Sequence, residues 1–235
     1  MDFRNFTTAA NANISASAGY DQGLRSYMLQ IYNYMAVALI VTALAAIGVA
    51  SSNQAIYYVF NTPLKWVVMF APLGVVMYLS SRVHQMTKEK AQLWFFVFSA
   101  LMGISLSYIF LVYTGASVVR VFFITSASYA GLSLYGYTTK KDLSGMASFL
   151  IMGLIGIMIA SIVNLFLASS SLQFAISAIG VLVFAGLTAY DTQNAKNNYY
   201  RFGANSQTAI MSALSLYMNF INLFIMLLNL FGNRR

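Results

Sequence analysis

Seven predominantly apolar segments, each close to the length of a membrane span, follow one another along the chain and leave little sequence between them. They are Leu29–Ala50, Lys65–Ser81, Gln92–Val112, Val119–Tyr137, Ser148–Ala168, Leu172–Tyr190 and Ala209–Phe231. A helix rising 1.5 Å per residue needs about 20 such residues to cross about 30 Å of hydrocarbon. Composition closes the soluble alternative, because 60% of the 235 residues are hydrophobic and 8% are charged. An ordinary soluble domain carries roughly 25% charge to cover its surface. The predicted fold is an all-α integral membrane protein, a bundle of seven transmembrane helices over residues 28–235. Residues 1–27 are rich in Asn, Ser and Ala and lack the apolar core of a signal peptide. They read as a flexible tail on the cytoplasmic side. Pro63 and Pro72 make the second segment irregular at its start and middle, and six spans with this one partly re-entrant is the rival reading.

Short links such as Thr114–Ala116 and Ser169–Ser171 force neighbouring spans to run antiparallel. The links after the second, fourth and sixth spans hold Arg82, Lys88, Lys90, Lys140, Lys141, Lys196 and Arg201. The opposite links hold Lys65 and Arg120, both at helix edges. Positive charge concentrates on the cytoplasmic side, which places the N-terminus there and the C-terminus across the membrane. Arg234 and Arg235 sit awkwardly in that scheme. The net charge of +8 comes from bases scattered singly at helix ends, where anionic headgroups account for them and nucleic acid is not implied.

Some spans carry small or polar residues at helical spacing. The last has Ser212, Ser215, Asn219, Asn222 and Asn229 on one face, and carboxamides facing lipid would be left without partners. That face is expected to point into protein or water. Gly153, Gly156, Ala160 and Asn164 line one side of the fifth span, and Gly131 and Gly136 in the fourth suggest tight packing. Asp191 is the most informative residue. No proline or glycine interrupts Asp191–Tyr199, so the sixth helix can continue past the membrane and carry Asp191 to the depth of Asn219. A carboxylate at that depth needs a cation, a proton or hydrogen-bond donors. Its charge state would then answer to pH or to a bound ion. Arg82 closes the second span on the same side and can reach toward it, or serve only as a topology anchor.

The familiar catalytic patterns are missing. There is no cysteine, no lysine in the last span to form a retinal Schiff base, no HExxH and no GxGxxG. The lone His84 falls in a loop without a nucleophilic partner. No enzyme and no cofactor is expected.

The phrases LSLYGYTTKKDLSGMASFLIMGLIGIMIASI at Leu132–Ile162, FAGLTAYDTQ at Phe184–Gln193 and ALSLYMNFINLFIMLLNLFG at Ala213–Gly232 resemble the Bax inhibitor-1 family, also called TMBIM, in its bacterial branch. With RSYMLQIYNYM beginning at Arg25, the likeness covers nearly the whole chain after Tyr27. It implies seven helices with the last one central, and a pH-sensitive leak channel for Ca²⁺ in a bacterial inner membrane. It also implies a gate in which two aspartates of the last two helices share a proton and pair with an arginine of the second. Asp191 matches the first aspartate and a possible Ca²⁺ contact. Arg82 is the nearest match for the arginine. The second aspartate is replaced by Asn219, a departure that removes like-charge repulsion and implies a weaker or differently tuned pH response. On this reading the partners are the lipid bilayer, Ca²⁺ and protons, with Asn222 beside Asn219 on the pathway. Phe224 and Leu228 would form a hydrophobic outer constriction. The alternative the resemblance implies is a non-conducting protein that binds a membrane partner, modulating a stress response or a membrane protease.

Overall fold

The computed structural model describes residues 3–235, with side chains described from Gln22 onward. Its helices are α1 Phe3–Ala50, α2 Asn53–Phe60, α3 Leu64–Arg82, α4 Lys88–Leu106, α5 Ile109–Val112, α6 Gly115–Thr138, α7 Ser144–Leu167, α8 Ser170–Phe202 and α9 Ser206–Phe231. Seven spans result, with α4 and α5 forming one of them across a break at Ser107 and Tyr108. Pro72 is accommodated inside α3, which crosses continuously from Leu64 to Arg82. Most of the tail drawn from the sequence lies outside the residues whose side chains are described. Its last turn belongs to the packed domain, because Leu24 and Tyr27 are buried.

Helix starts follow local chemistry. The hydroxyls of Thr87, Thr114 and Ser169 accept from backbone N–H groups in the first turns of α4, α6 and α8. The Asn205 side-chain oxygen accepts from both Gln207 and Thr208 at the head of α9. These contacts satisfy donors that a helix leaves open at its N-terminus. Just before α7, Asp142 accepts from the Ser144 N–H at 2.9 Å. That bond holds the exposed carboxyl below its usual range. The short helix α2 was not anticipated. It lies in the first link, with Tyr57 and Tyr58 exposed, at the membrane end where aromatic side chains favour the interface.

The last span is the most enclosed. Within its most apolar stretch 67% of residues are buried, against 11% for α7, and α9 packs on α1, α4, α6 and α8. The fully buried Tyr217 meets the edges of Phe95 and Phe98 at 6.0 and 5.7 Å between ring centroids. Its hydroxyl lies 2.6 Å from that of Thr42, which also bonds the Ala38 and Ser99 carbonyls. This polar thread joins α1, α4 and α9 within an otherwise apolar core.

Two glycines set helix separations. A Cβ at Gly103 would collide with the Thr42 carbonyl, and one at Gly136 with the backbone of Ala189. Backbone cannot yield as a flexible side chain can. Gly136→Ala is therefore expected to destabilise the α6–α8 contact by about 1–3 kcal/mol, measured as a lowered unfolding midpoint in detergent. Gly131 and Gly156, expected from the sequence to mark close packing as well, have no neighbour where a Cβ would stand.

After α9 the chain folds back on the α5–α6 turn. Thr114 N–H donates to the Asn233 carbonyl at 3.1 Å, and Arg235 N–H donates to that of Val112 at 2.9 Å. Tyr113 O–H donates to Asn229 Oδ1 at 2.9 Å. The terminal arginines thus lie at the end of the bundle opposite the basic links, tied down by backbone bonds that their charge does not affect.

Candidate functional site

The helix that carries Asp191 runs on past the apolar stretch to Phe202, as the unbroken sequence predicts. Asp191 therefore sits within α8 and not at its end. On α9, Ser215 and Asn219 are one turn apart and share a face. Ser215 Oγ donates to Asp191 Oδ2 at 2.6 Å, and Asn219 Nδ2 donates to the same oxygen at 2.8 Å. Two helices are thereby latched through a single carboxylate oxygen. Among the described residues both donors fall on Oδ2 and none on Oδ1. Asp191 is half-buried, Asn219 is buried, and among the described residues the carboxylate has no ion-pair partner.

The residues after Asp191 fan outward at about 100° each, as helical geometry requires. Thr192 Oγ1 meets Ser133 Oγ on α6 at 3.0 Å, and that hydroxyl also bonds Tyr32 O–H on α1. Gln193 accepts from the Leu143 N–H and donates to the Lys141 carbonyl, both at 2.8 Å. The next turn brings Lys196 Nζ to the Tyr137 carbonyl at 2.8 Å. Successive residues of YDTQ thus tie α8 to α9, to α6 and to the α6–α7 link. Thr192 and Gln193 were not singled out from the sequence, although the phrase containing them was. Tyr129 also belongs here, buried beneath the site with its O–H donating to the Leu216 carbonyl at 3.1 Å.

Other sequence candidates lie apart. Arg82 is exposed and its Nη1 donates to Gln85 Oε1 at 3.3 Å. The structure does not bring it to Asp191, because the 3₁₀ turn Val83–Gln85 offers a nearer acceptor. Arg82→Gln is accordingly expected to change stability by less than about 0.5 kcal/mol, read from unfolding midpoints of the two proteins. Asn222 donates to the Met218 carbonyl at 2.8 Å, a bond within its own helix, and does not touch Asp191. His84 is exposed on that same turn. Phe224 and Leu228 are buried toward the far end of α9.

Among the described residues no three His, Cys, Asp or Glu side chains gather where they could hold a metal ion. A cation at this site would meet one carboxylate and the neutral oxygens of Ser215 and Asn219. That is a weak oxygen set, suited to transient contact more than to tight binding.

Comparison with known proteins agrees with the fold and the phrases. The family model described as "Inhibitor of apoptosis-promoting Bax1" matches residues 24–235. A protein of Rickettsia prowazekii is 49% identical over 224 residues, covering 94% of this chain and 95% of its own. The Escherichia coli K12 inner membrane protein YbhL is 43% identical, with 91% of this chain and 94% of that one covered. A membrane protein of Streptococcus pyogenes serotype M1 is 32% identical, with coverage of 90% and 94%. With the family model matching residues 24–235 and these relatives matched over nearly their full length, the chain belongs to the Bax inhibitor-1 family.

Proposed function

We propose that this protein is a passive cation pathway of the bacterial inner membrane, conducting Ca²⁺ and governed by the latch between α8 and α9. The basic links and the N-terminus face the cytoplasm in this reading. One observation carries it. An acidic side chain stands inside a membrane-spanning helix, held by two neutral donors on one oxygen, and among the described residues no basic partner neutralises it. A carboxylate so placed is costly unless it serves an ion or a proton. It attracts a cation and strips part of its water, while Phe224 and Leu228 close the far half by excluding water. Inner-membrane residence is supported by the naming of YbhL as an inner membrane protein.

A second reading rests on α7, whose outward face leaves Phe149, Met152 and Phe166 exposed. That face suits a helix of another membrane protein, and Asp191 would then serve only to fasten the bundle. Purified protein in vesicles loaded with a Ca²⁺ indicator separates the two. Protein-dependent Ca²⁺ entry down its gradient, absent from empty vesicles, supports conduction. No flux at any pH from correctly folded protein refutes it in favour of the binding role.

A further inference from the structure

We propose that the cleft between α1 and α6 binds one phospholipid with an anionic headgroup, drawn from the leaflet at the basic end of the bundle. The cleft encloses about 600 Å³, within the roughly 300–1,000 Å³ usual for small-ligand sites. Met28, Met35 and Leu39 of α1 face Ala130 of α6 across it, with Phe220 of α9 also in its wall. The Tyr32–Ser133 bond bridges the two helices there. Its rims, Leu29 and Leu134, are 51% and 63% exposed. Both belong to membrane-spanning helices, so the cleft opens sideways onto acyl chains and not onto water.

Its length fits one leaflet. Arg25 marks one end and Leu39 the other, about 21 Å apart along α1. Half of a bilayer with its headgroups is also about 20–22 Å. Beyond Leu39 a second apolar cleft of about 340 Å³ continues between the same helices to Ile47, and no charged residue lines it. Among the described residues that line the two clefts, the one cation, Arg25, stands at the basic end. Arg25 is exposed at the mouth. Among the described residues no acidic side chain is part of the lining. An acyl chain beneath and a headgroup phosphate beside Arg25 complement this surface.

The test is native mass spectrometry of delipidated, full-length protein titrated in detergent with dioleoyl phosphatidylglycerol or dioleoyl phosphatidylcholine. One phosphatidylglycerol should be retained, about fivefold more tightly than phosphatidylcholine for each cation engaged. Arg25→Gln should lower that preference about fivefold while binding persists. Ala36→Trp, which fills the cleft wall, should remove the retained lipid, and Phe149→Trp on the exposed face of α7 should leave it in place. Equal retention of the two lipids by the unaltered protein, or bound phosphatidylglycerol surviving Ala36→Trp, overturns the proposal. Because Arg25 is exposed, its variant decides the headgroup preference even if Ala36→Trp fails to fold.

Discussion

Asp191→Asn should lower Ca²⁺ flux on the order of tenfold or more while leaving the bundle folded. The carboxamide oxygen can accept the same two hydrogen bonds from Ser215 and Asn219, so shape and latch survive and only charge is lost. At an effective dielectric of about 20, a unit charge 4 Å from another contributes about 4 kcal/mol, and a divalent cation feels this twice over. Partial exposure and the cation's own hydration cut the net effect well below that sum. A factor of ten in flux, equivalent to about 1.4 kcal/mol, is therefore a conservative expectation. The measurement is initial indicator-detected Ca²⁺ entry into vesicles at matched protein density, with unfolding midpoints to verify the fold. Undiminished flux from folded Asp191→Asn would remove the carboxylate from the pathway.

Asn219→Asp should convert a shallow pH response into a steep one. In the native pair a neutral amide lies 2.8 Å from the carboxylate and its single orientation holds at any ordinary pH. Two carboxylates at that distance cannot both ionise readily, so the pair shares one proton and titrates as a unit. With the proton present, an O–H···O⁻ bond fastens α8 to α9. Once it leaves, like charges push the helices apart and the doubled negative charge draws in the cation. Flux through the variant should thus rise with pH by about tenfold per unit across the transition of the shared proton, whereas the native protein should change by no more than about twofold over the same interval. The same vesicle assay at a series of matched internal and external pH values provides the check. A variant as flat as the native protein would show that the pair does not control conduction.

The bundle was legible because lipid imposes a simple rule on sequence. Apolar runs of span length have no other stable home, and six of the seven predicted segments lie within the observed spans, the fifth overrunning its helix by Ala168 alone. The meeting of Asp191 with Asn219 was also legible, since helix continuity through Tyr199 and 1.5 Å per residue put both at one depth. Arg82 was harder to place. Its position along the chain put it at the same end of the bundle as the other basic links, but rotation about α3 and the turn that follows decided its partner, and no pattern in the sequence encodes that rotation. Gly131 and Gly136 teach the same lesson. They are alike in a one-dimensional reading, yet only Gly136 lies where α8 presses its backbone against α6. Asn222 continues the polar stripe but satisfies itself on its own helix, which spacing alone cannot distinguish from a contact across the bundle.

The last residues deserve caution at the bench. Because the main chain at Asn233 and Arg235 pairs with the turn between α5 and α6, a purification tag or fluorescent reporter joined directly after Arg235 would tug on the very bonds that seat the far end of α9. A flexible spacer, or placement of the label at the opposite terminus, would keep such a handle from being mistaken for a property of the protein.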